Sequence, residues 1–155
     1  MSYDSRPDTL EHIGKVQDQL AAAIYSLQNR ARVHDRSKLK EPEVSVFDRV
    51  TPQLQGSTYG SDEYKQFLAD MKPALDHHYA KNSHHPEHFG NGIHGMNLLD
   101  LLEMLCDWIA ATKRHDDGDI RRSIEINQER FGYGDEIKGL LLNTLEELEG
   151  LAIDA

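Results

Sequence analysis

Residues 8–32, DTLEHIGKVQDQLAAAIYSLQNRAR, decide how the chain folds. Leu10, Ile13, Val16, Leu20, Ile24, Leu27 and Ala31 recur at steps of three and four, which lays one apolar stripe along a helix. Pro7 suits the first helical position, and Asp8 and Glu11 complement the positive end of the helix dipole. Working outward, His34-Asp35 falls at or just past the end of this helix. A short helix is predicted after Glu41-Pro42, through Val44 and Phe47, stopping before Thr51-Pro52. The stretch TPQLQGSTYGS (51–61) reads as a loop. Ser61 is placed to cap a further helix carrying Tyr64, Phe67, Leu68 and Met71. Pro73 is expected to kink it or split it, the second piece ending near Asn82.

SHHPEHFGNGIHG (83–95) is a loop rich in histidine and glycine. Asn97 caps a helix running to about Lys113, and two more are predicted near 119–131 and 135–149, separated by Gly132 and Gly134. Leu140, Leu141, Leu145 and Leu148 form the apolar face of the last. No stretch alternates as a surface strand does. The expectation is an all-α fold, a single helical bundle of about six helices in one domain over residues 1–155.

Acidic residues outnumber basic ones, 27 to 17, so the formal charge is −10. Such a chain has no broad basic field with which to bind a nucleic-acid duplex. Small anionic substrates stay open, because a bound metal reverses the local field. The single cysteine, Cys106, excludes an internal disulfide framework and, within LLEMLCDWIAA, reads as a buried thiol. The first residues lack the basic and apolar regions of a signal peptide, and no apolar run is long enough to cross a bilayer, so a cytoplasmic protein is expected.

Histidine stands out, with nine in the chain and most of them before Gly95. It is the commonest side chain for binding transition metals. Asp107 lies among apolar neighbours, where an ionised carboxylate is costly unless a cation meets it, and this points to a ligand role. Asp100 and Glu103 share its helical face and read as a solvated acidic stripe. His34-Asp35 can bind one metal only where the helix end is distorted, or can bridge two; the plainer reading is a charged turn. DHHYAKNSHHPEH (76–88) offers two histidine doublets across a helix end, either a chelating pair or an exposed histidine patch. His12, alone on the flank of the first stripe, reads by itself as a boundary residue.

In chain order these residues are His12, His34-Asp35, His78, His85 and Asp107. With HDRSKL, HHYAKNSHHPEHF and EMLCDW, the chain resembles the HD-domain superfamily of helical metal-dependent phosphohydrolases, in a small branch of phages and bacteria. The resemblance spans His12 to Trp108 and implies that His12, His34, Asp35 and Asp107 hold one metal. Asp35 would bridge to a second, held by His78 and His85, with His77 and His84 as the alternatives in each doublet. One departure is Ser37-Lys38, where some nucleotidases of the superfamily carry a catalytic glutamate.

Imidazole with carboxylate suits one or two ions of Mn, Fe, Co, Ni or Zn. The implied activity is hydrolysis of a nucleotide or small phosphate ester by a metal-activated water. Asp35 and Lys38 would be catalytic, Lys38 stabilising the developing charge; Lys81, Arg30 and Arg114 are further cations for phosphate. Glu87 would serve as a proton shuttle or form a loop salt bridge. The alternatives are a di-iron oxygenase on the same ligands and a non-catalytic binding module for a ligand or protein partner. No membrane partner is expected, and the last helix could pair with a second copy.

Overall fold

The helical periodicities read from the sequence reappear in a computed structural model of the chain, which describes residues 3–56, 62–114 and 118–153. Six α-helices account for most of these: α1 (Arg6–Val33), α2 (Glu43–Gly56), α3 (Asp62–Lys81), α4 (Leu98–Thr112), α5 (Ile120–Phe131) and α6 (Asp135–Ile153). Three 3-10 turns, at Arg36–Leu39, Pro86–His88 and Gly92–Gly95, carry the connections, and the described residues contain no strand. The fold is all-α, as expected. The cap assigned to Ser61 lies outside the described residues.

The chain divides into two compact units, Met1–His34 and Asp35–Ala155. The first unit is α1. It has Pro7 in its first turn, Arg30 and Arg32 in its last, and a terminal bond from the His34 N–H to the Arg30 carbonyl at 2.8 Å.

The second unit holds α2 to α6. Its core joins Met104 and Leu105 of α4, Ile124 of α5, Leu141 and Leu145 of α6, and Ile93 and Tyr133 from the connections. Trp108 stacks on Phe131 at 6.2 Å, and the buried Tyr133 hydroxyl donates to the Ile124 carbonyl at 2.6 Å. Val50, Met71 and Ala74 are buried where α2 and α3 pack.

Two local expectations are corrected. Helix α2 passes through Thr51-Pro52 to Gly56 instead of stopping before it, while of the kink or split expected at Pro73 the split does not occur, α3 being one helix there. In each helix proline removes one ladder bond, and packing between α2 and α3 outweighs that loss. Cys106 is exposed, not buried. Met104, Leu105 and Trp108 take the core face of α4, and residue 106 points away from it.

Candidate metal centre

Asp35 opens the second unit in a left-handed conformation, φ 56°, just before the turn Arg36–Leu39. Aspartate and asparagine tolerate this region better than other non-glycine residues. Asp35 Oδ2 accepts from Lys38 Nζ at 2.6 Å, and Oδ1 lies 3.2 Å from His78 Nε2 and 3.4 Å from His84 Nε2.

His78 projects from the last turn of α3 and is 1% exposed; His84, 2% exposed, and His85 lie in the connection that follows. His78 Nε2 and His85 Nε2 are 2.9 Å apart. One donor atom from each of Asp35, His78, His84 and His85 lies within 4.8 Å of the others.

These spacings suit a coordination shell. Ligand atoms held about 2.05 Å from a metal are separated by about 2.9 Å at a right angle and about 3.4 Å at the tetrahedral angle. The observed separations of 2.9, 3.2 and 3.4 Å span that range. The donor set fits a transition metal: imidazole nitrogens with one hard oxygen, partly withdrawn from solvent.

The electrostatics agree. Burial pushes the Asp35 carboxyl up, but the nearby His78 and His84 rings and the Lys38 ammonium outweigh it and hold the group well below the usual carboxylate range. Burial, with His84 and His78 close by, lowers His85 to about 3, so its imidazole is neutral near neutral pH and keeps a lone pair for coordination.

A second layer orients these groups. Glu43, at the start of α2, is 0% exposed. Its Oε1 lies 2.7 Å from His77 Nδ1, and its Oε2 lies 3.0 Å from both His78 Nδ1 and Ser37 Oγ. Burial raises Glu43, yet bonds from His77, Ser37 and His78 bring it below its ordinary value. Glu103 Oε1 lies 3.3 Å from His84 Nδ1. Asp100, 1% exposed, accepts from the Asn97 N–H at 3.0 Å in the capping box of α4 and from Ser83 Oγ at 2.6 Å. It thereby ties down the segment that carries both histidines. Asp100 and Glu103 are not the solvated stripe expected: the 83–95 connection folds over this end of α4 and covers them.

Asp35, His78 and His85 come together as the resemblance implied. His84 joins His85 instead of replacing it, whereas His77 turns to Glu43. Asp107 is half-buried, with an oxygen within 4.8 Å of one on Asp35 and a charge that acts on His85. His12 and His34 belong to the first unit, His34 being its final residue. Lys38 contacts Asp35 directly. Glu87 is engaged by Arg130 at 2.8 Å, the loop salt bridge of the two expectations. Lys81 and Arg114 are exposed.

Sequence reasoning missed Glu43, whose place in a first helical turn mimics an ordinary dipole acid. The spacing of His78 and Asn82 was a usable signal, since Asn82 Nδ2 donates to the His78 carbonyl at 2.8 Å and to Ser37 Oγ at 2.9 Å.

No curated protein and no solved structure matches the chain. A family model does, over residues 1–152, and it is described as a family of unknown function. The chain, with this histidine and aspartate cluster in its second unit, thus belongs to the family DUF5662.

Proposed function

We propose that the protein is a metal-dependent phosphohydrolase acting on a nucleotide or another small phosphate ester. The observation that carries this reading is the convergence of Asp35, His78, His84 and His85, with donor atoms within 4.8 Å of one another and three of the separations at 2.9, 3.2 and 3.4 Å. A divalent transition metal at these donors supplies Lewis acidity, which lowers the pKa of water and polarises a phosphoryl oxygen. Asp35 contributes a fixed negative charge and His85 a neutral imidazole. Lys38 Nζ sits beside Asp35 with its side chain 37% exposed, so it can reach a phosphate oxygen entering from solvent. Three imidazoles with one carboxylate favour Mn, Fe, Co, Ni or Zn over Ca or Mg.

Elemental analysis of the purified protein, followed by a nucleotide screen with added Mn, Co or Ni, tests the reading. Asp35→Ala is expected to lose metal and hydrolysis together. Full hydrolysis by that variant without metal refutes the mechanism. Iron absorption in a protein inert towards phosphate esters would replace it with an oxygenase, and tight ligand retention without turnover with a binding module.

A further inference from the structure

Glu43 has no part in the donor set, yet it is a fully buried carboxylate held between two imidazoles and a hydroxyl. A buried acid is retained at a cost, and its contacts indicate what it does. The hydrogens around His78 Nδ1 can be counted one by one. That nitrogen has three polar neighbours: Glu43 Oε2 at 3.0 Å, Ser37 Oγ at 3.0 Å and Asn82 Nδ2 at 3.1 Å. Asn82 commits both amide hydrogens elsewhere, to the His78 carbonyl at 2.8 Å and to Ser37 Oγ at 2.9 Å. Ser37 gives its one hydrogen to Glu43 Oε2 at 3.0 Å. No hydrogen remains to be donated to Nδ1, whereas Glu43 offers an acceptor. At Nε2 the competing acceptor is Asp35 Oδ1 at the longer distance of 3.2 Å; the closer contact with Glu43 favours placing the proton of a neutral His78 on Nδ1, with the Nε2 lone pair towards Asp35 and His85.

The same carboxylate draws His77 Nδ1 to its other oxygen at 2.7 Å, turning that ring away from the cluster. We infer that Glu43 is a positioning residue that selects His78 over His77 as the metal ligand and fixes its tautomer, through the carboxylate–histidine pairing common behind metal-bound imidazoles. The inference rests on the metal-centre reading for its functional consequence, whereas the tautomer is argued from the contacts of Glu43 and Asp35 with the two ring nitrogens.

Long-range 1H–15N spectra of the metal-free full-length protein, at about pH 8 where imidazoles are neutral, read the tautomer directly. The Nδ1–H form is expected for His78, and an Nε2–H form overturns the inference. Co2+ titration of wild type, Glu43→Gln and Glu43→Ala, with apo-protein melting curves alongside, reads the consequence. A loss of about 10- to 100-fold in Co2+ affinity is expected in Glu43→Gln, with a mixed His78 tautomer. Wild-type affinity and tautomer in a folded Glu43→Gln protein overturn the inference. If Glu43→Ala does not fold, the Gln variant and the wild-type spectrum still decide. If wild type binds no Co2+, Mn2+, Ni2+ or Zn2+, the metal-centre reading fails, and the spectrum separately settles whether Glu43 sets the tautomer.

Discussion

Asp35 concentrates the chemistry of the second unit in one residue. It combines a left-handed backbone, a contact with Lys38 and an approach to two imidazoles. Asp35→Asn keeps the left-handed tolerance and the shape but removes the charge. It should fold better than Asp35→Ala, by about 1 kcal/mol in denaturant unfolding, yet lose metal to the same degree. Retention of wild-type metal content in Asp35→Asn would contradict the role given to the carboxylate.

His85 makes a pH prediction whose sign follows from its lowered value of about 3, against an ordinary 6.5. Between those values the unfolded chain takes up a proton that the folded protein refuses. Stability contributed by the neutral imidazole is thus complete above about 6.5 and is lost as pH falls towards 3. Asp35, held low, adds to the loss once pH falls below its ordinary 3.8. Guanidinium midpoints of metal-free protein should fall between pH 6.5 and 4, and His85→Gln should flatten that slope. An identical slope in the variant would show that His85 is not held neutral.

At the scale of elements, the 83–95 connection works as a clasp. Ser83 is fastened to Asp100 of α4, Ile93 enters the core, and Gly95 closes the last turn. A Cβ at position 95 would meet the Asn91 side-chain oxygen and would come within 2.7 Å of Phe89 Cβ and 2.8 Å of Cγ. Phe89 Cβ is fixed to the backbone and cannot swing aside. Gly95→Ala should therefore cost about 1–3 kcal/mol in unfolding free energy. An unchanged unfolding midpoint would count against this packing. Asp100→Ala should cost a similar amount, about 1–3 kcal/mol, since it removes a buried carboxylate that accepts from the Asn97 N–H and the Ser83 hydroxyl. It should also weaken Co2+ binding by loosening the segment of His84 and His85; full-strength binding would show that the clasp does not hold the ligands.

At the scale of the whole molecule, metal binding should appear as stability. The donors come from Asp35 at the start of the unit, the end of α3 and the following connection, so they gather only in the folded second unit. A metal at a hundredfold excess over its Kd should stabilise the protein by about 2.7 kcal/mol. For a protein of this size that is a melting rise on the order of 5–10 °C, removed by a chelator. Melting curves unmoved by Mn, Co, Ni and Zn would argue against a metal centre. Among the described residues, no helix is long and apolar enough to cross a membrane.

The sequence by itself determined the helices, because three- and four-residue apolar spacing, the Asn97 cap and the glycines around Tyr133 act within a few residues. It also marked Asp35, His78, His85 and Asp107, since histidine doublets and an acid in an apolar run are visible in one dimension. It misjudged Pro52, where packing between helices outweighed a local rule. Only the tertiary structure decided that both His84 and His85 join the cluster, that His77 leaves it, and that Glu43, Asp100 and Glu103 stand behind the donors. Those outcomes depend on which way a ring turns and what it meets far along the chain, from 17 positions for Ser83 and Asp100 to 34 for His77 and Glu43. Hydrogen bonds and burial set that geometry after the helices pack, and spacing along the chain carries no trace of it.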